Sequence, residues 1–88
     1  MENKLINFME VHVTDLVERT LKSLDICSCD QCKLDMVAIT LNTIPPKYYV
    51  TNEGELYARI KTLAHQLDVD IYSEIARAAE IVSNNPRH

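Results

Sequence analysis

The chain contains one glycine, Gly54, and three prolines among its 88 residues. So little turn-forming punctuation argues against a fold of many short strands and favours a few long elements. A basic excess is also missing. Lys and Arg number 9 against 13 Asp and Glu, giving a formal charge of -4. A protein that grips a nucleic-acid polymer usually carries a basic face that displaces counterions from phosphates. No apolar run approaches the roughly 20 residues of a membrane span. Residues 1–8, interrupted by Glu2, Asn3, Lys4 and Asn7, lack the apolar core of a signal peptide. These absences predict a soluble cytoplasmic protein with neither a nucleic-acid polymer nor a membrane as partner.

Hydrophobic residues make up 47% of the chain, enough to build a core rather than remain disordered. The length predicts a single domain over residues 1–88. A core this small is marginal, because short chains bury a smaller share of their surface. A metal, a partner subunit or both are therefore expected to reinforce it.

The hydrophobic spacing predicts an all-α fold of three to four helices, with a short extended segment after Pro45-Pro46. Leu5, Met9, Val13, Leu16, Val17, Leu21 and Leu24 form one stripe of a first helix over residues 3–24. A second helix, capped by Asp30 and running to about residue 42, presents Leu34, Val37, Ala38, Leu41 and Ile44. Pro45-Pro46 stops it, and Tyr48, Tyr49 and Val50 favour extended geometry. Asn52 with Glu55 suits a reciprocal cap for a third helix. Its apolar positions are Leu56, Ile60, Leu63, Leu67, Ile71, Ile75, Ala78 and Val82, with steps of three or four throughout. Unbroken to residue 83, such a helix would outrun a small monomer, which points to a homodimer. Alternatively, it breaks near Asp68-Val69-Asp70, with Asp70 capping a fourth helix.

Three cysteines fall within six residues, Cys27-Ser28-Cys29-Asp30-Gln31-Cys32. An odd count this tightly spaced argues against a disulfide framework. The run suits a metal, because soft thiolates converge on zinc at about 2.3 Å and a helix start favours the thiolate form of Cys32. The competing reading is three unliganded thiols. A redox role is disfavoured, since no thioredoxin-like strand–helix pattern surrounds the motif. A fourth ligand could come from His88, His12, His65, Asp30, Asp35 or water. His88 ranks first because a terminal residue reaches freely, whereas His12 and His65 sit within helices.

The same residues carry a family resemblance. The Cys-x-Cys-x-x-Cys run, Asp35 with Ala38, the Leu41-Asn42 pair and Pro45-Pro46-Lys47-Tyr48 resemble the late competence development protein ComFB family. The specific motifs span residues 27–50, and the flanking helices fit as well. The resemblance implies an all-helical, zinc-containing dimer without enzymatic activity. It also implies a link to competence in some bacteria, with other members similar to cyclic dinucleotide receptors. This chain departs from the pattern by offering no fourth cysteine.

A cyclic dinucleotide such as c-di-GMP or c-di-AMP needs cations for two phosphates and flat groups for two bases. Lys47, Tyr49, Tyr57, Arg59 and Lys61 are the candidates. Tyr57 and Lys61, four apart, share a helix face. The alternative function is a metal-stabilised module that docks a partner protein, for instance in competence or motility control, with no small-molecule ligand.

Overall fold

The computed structural model describes residues 4–50 and 54–84, apart from the side chain of Glu55. His88 and the Asn52 half of the expected third-helix cap lie outside these residues. Six elements follow in order: β1 (Leu5–Asn7), α1 (Phe8–Ser23), α2 (Asp30–Thr43), β2 (Tyr48–Val50), α3 (Gly54–Gln66) and α4 (Asp68–Asn84). The fold is mainly helical, and its extended segment is half of a small sheet. β1 and β2 pair antiparallel, Leu5 opposite Val50, Ile6 opposite Tyr49 and Asn7 opposite Tyr48.

The first helix starts later than its apolar spacing suggested. Asn7 is its N-cap, and its side-chain oxygen accepts from the Met9 N–H at 3.1 Å. The same oxygen accepts from the Lys47 N–H at 2.8 Å, while the Phe8 N–H donates to the Lys47 carbonyl. Asn7 thus starts α1 and ties it to β2. Leu5, expected in the buried stripe, is a strand residue and 71% exposed. From Met9 to Leu21 the helical stripe holds, with Met9, Val13, Leu16, Val17 and Leu21 buried beside Phe8, but Leu24, expected in it, is the exposed C-cap.

α2 packs against α1 and, more extensively, against α4. Its buried face is Cys32, Met36, Val37 and Thr40, which keeps only Val37 of the aliphatic stripe expected. Leu34 and Ala38 are exposed, and Leu41 and Ile44 only partly buried. The helix is rotated so that a flexible methionine, a thiol and a threonine enter the core. α4 contributes Ile71, Ile75, Ala78, Ala79 and Val82 to the same core.

The long helix breaks, but at Leu67. The Leu67 N–H reaches back three residues to Ala64 at 3.1 Å, and the Leu67 carbonyl accepts from the Ile71 N–H at 2.9 Å. Asp68 opens α4, so Asp70 lies within its first turn rather than capping it. The break sends Ile71 into the monomer's own core, at 1% exposure, while Leu63 remains half exposed. α3 leans on β2 and α1 and buries only Ile60 and Ala64 among its described side chains.

Candidate metal centre

α1 ends at Ser23, and the chain crosses to α2 through a short polar segment containing Cys27 and Cys29. Ile26 anchors this segment against the core. Cys29, not Asp30, is the N-cap of α2, with extended backbone at φ -67 and ψ 164. Its carbonyl accepts from the Lys33 N–H at 2.9 Å. Its sulfur accepts from the Cys32 N–H at 3.5 Å. A Cys-x-x-Cys pair at the N-cap and third helical positions places the first sulfur where a capping oxygen would sit. The second cysteine, one turn on, follows the buried face of α2.

The three Sγ atoms lie within 4.8 Å of one another. In a tetrahedral site with bonds of about 2.3 Å, sulfurs stand roughly 3.8 Å apart, so small side-chain rotations suffice to close the set. No disulfide joins them. Cys27 and Cys29 are exposed, and Cys32 is buried at 2%. The Cys29 thiol is pulled below its ordinary range, first by the Cys32 backbone N–H and then by the Cys27 thiol. Cys32, expected to favour the thiolate at the helix start, is instead pushed up to about 12 by its burial, and the hydrogen bonds and charges of Cys27 and Cys29 push in the same direction. The two sulfurs are thus shifted in opposite directions, and the buried one keeps its proton unless a cation compensates its burial.

A family model for the late competence development protein ComFB matches residues 6–86. The chain belongs to the ComFB family. The competence protein ComFB of Bacillus subtilis (strain 168) is 26% identical over 83 residues, covering 93% of this chain and 85% of that protein. A solved structure of the late competence protein ComFB from Bacillus subtilis superposes with a TM-score of 0.77 at 26% identity. It covers 94% of this chain and 92% of that one.

Three soft sulfurs gathered at the positive end of a helix could hold a metal ion. The fourth position is less defined. Asp30 is exposed in the first turn of α2, and Asp35 accepts from the Gln31 side-chain amide at 3.1 Å. His12 and His65, both considered as fourth ligands, are drawn away into a separate cluster with Asp68. Cys27 and Cys29 are exposed, which leaves the outer side of the set accessible to water as a further ligand.

The expected nucleotide contacts do not form one set. Tyr49 and Tyr57 meet edge-on with ring centroids 5.1 Å apart, and Phe8 packs against Tyr57 at 5.7 Å. Lys47 is held through its backbone by Asn7 and Phe8. Arg59, however, lines a separate shallow depression of about 460 Å³ with Ala58, Thr62, Leu63 and Gln66. Arg59 is two residues from Tyr57 and so points about 200° around α3. Lys61, one turn beyond Tyr57, stays exposed. No helix among the described residues is long and apolar enough to cross a membrane.

Proposed function

We propose that this ComFB-family chain is a cytoplasmic, non-enzymatic regulatory protein whose fold is reinforced by one zinc ion on Cys27, Cys29 and Cys32. The carrying observation is the convergence of three sulfurs within 4.8 Å at the start of α2. Zinc fits because it accepts three thiolates and one further ligand in a closed, structural site. The ion would fasten the α1–α2 crossing to the core through Cys32. Elemental analysis tests this: Cys29→Ser should remove about one zinc per chain and lower the melting temperature, since metal binding is coupled to folding. Unchanged zinc content in that variant would defeat the assignment.

The working unit is proposed to be a homodimer. α3 aligns exposed Leu56 and Leu63 with Arg59 along one side. A helix that buries only two described residues against its own chain gains from a second covering surface.

A second reading, a cyclic dinucleotide receptor, is supported by the Tyr49–Tyr57 ring pair beside the Lys47 segment. The pair offers flat apolar surface that is not fully buried, while Arg59 lies on another side of α3. A bound nucleotide would then have to span two chains or use Tyr57 and Lys61 without Arg59. Calorimetric titration with c-di-GMP and c-di-AMP separates this from a protein-docking module. Heat that is lost in Tyr57→Ala supports the receptor. No heat at high micromolar ligand leaves the docking module.

A further inference from the structure

A second group of metal-ligating side chains gathers where α1, α3 and α4 meet. His12 comes from the buried face of α1, His65 from the last turn of α3, and Asp68 from the first residue of α4. Their ligand atoms lie within 4.8 Å of one another. The His12 Nε2 is 2.7 Å from one Asp68 carboxylate oxygen, and the His65 Nδ1 is 3.4 Å from the other. The two imidazole rings stand edge-to-face with centroids 4.9 Å apart, and Phe8 walls the inner side at 5.4 Å from His12.

We infer that His12, His65 and Asp68 form a second metal site, distinct from the cysteine site, that takes a divalent transition-metal ion such as zinc, cobalt or nickel. Two imidazole nitrogens and one carboxylate suit these ions and do not suit calcium or magnesium, which prefer all-oxygen shells. Bonds near 2.0–2.1 Å in a tetrahedral arrangement put ligand atoms roughly 3.3 Å apart. The two nitrogen–oxygen separations, 2.7 Å and 3.4 Å, bracket that spacing but run to different oxygens of Asp68, so a small rotation of the carboxylate must bring one oxygen into the set with both nitrogens. The metal ion would then take the place of the His12–Asp68 hydrogen bond.

His12 meets Asp68 across the fold, and His65, an exposed ring three residues before Asp68, faces the other oxygen of the same carboxylate, so both rings converge on one acid. The burial gradient also suits a site open to solvent, with side-chain exposures of 7% for His12, 28% for Asp68 and 53% for His65. His12 and Phe8 close the inner end, and His65 leaves room for water as a further ligand. Occupancy would pin the Leu67 break to α1, fixing the angle at which α3 leaves the core. The inference does not depend on the cysteine assignment, because the two ligand sets share no residue.

Cobalt(II) titration of the full chain, followed by absorption spectroscopy, tests it. Thiolate-bound cobalt gives strong near-ultraviolet charge-transfer absorption, and a nitrogen–oxygen site does not. Wild type should bind two equivalents, one with thiolate bands and one without. His65→Gln, at an exposed position that the core does not require, should bind one, with thiolate bands intact. In a variant with Cys27 and Cys29 both changed to Ser, the equivalent without thiolate bands should remain. Binding that always carries thiolate bands would overturn the site, as would a second equivalent that survives His65→Gln unchanged.

Discussion

Cys29 and Cys32 divide the task of one ligand pair by position. The first caps α2 and has its pKa lowered by the Cys32 backbone N–H, and the second is buried and keeps its proton. Metal binding must therefore expel the Cys32 proton, so zinc affinity should rise with pH through the neutral range. Each proton released contributes up to about tenfold per pH unit, measurable by chelator competition. In metal-free protein the sign differs. The Cys32 pKa is raised in the fold, so an unfolded chain ionises near 9 while the folded one holds its proton to about 12. That stabilisation is complete below about pH 9 and is lost as pH climbs toward 12. Thermal melts with chelator should fall over this range, and zinc should flatten the fall. Thr40 shows a different residue-scale effect. Its hydroxyl is fully buried and has no hydrogen-bond partner among the described residues. Thr40→Val should stabilise the protein by about 1 kcal/mol, raising the melting temperature by roughly 4–8 °C.

At the scale of elements, Asn7 links α1, β1 and the Pro-Pro segment with one side-chain oxygen. Asn7→Ala removes both the cap and the bond to Lys47, which should cost about 1–2 kcal/mol in denaturant unfolding. The cap was missed, because the first helix was begun at residue 3, although Asn7 with Glu10 three residues on is a helix-start pattern. The apolar stripe extended past it because Leu5 happens to keep helical spacing. The strand pairing itself was not legible, since β1 and β2 are three residues each and meet across 40 residues of chain. α2 was misjudged in rotation for a physical reason. Counting aliphatics favours Leu34 and Ala38, whereas tertiary packing selected Cys32, Met36 and Thr40. The cysteine run was readable because its ligands are local. The His12–His65–Asp68 group was not, because it depends on a helix joint and spans 56 residues.

For the whole molecule, the length of the expected third helix suggested a dimer, and the break at Leu67 changes where its contact would fall. Ile71 and Ile75 belong to the monomer core, so charge placed there should unfold the protein rather than separate chains. Leu63→Glu is the cleaner test. It should shift sedimentation to a mass near the 10.1 kDa chain while leaving the circular dichroism of the helices intact. Wild type that already sediments at that mass would remove the dimer. One zinc ion gathering three sulfurs at the start of α2 is the central proposal. Alkylation followed by mass spectrometry reads those sulfurs directly. With zinc bound, Cys27, Cys29 and Cys32 should resist modification together, and a chelator should expose Cys27 and Cys29 at once. If the two exposed thiols react as fast with zinc as without it, the cysteine cluster is not a metal centre.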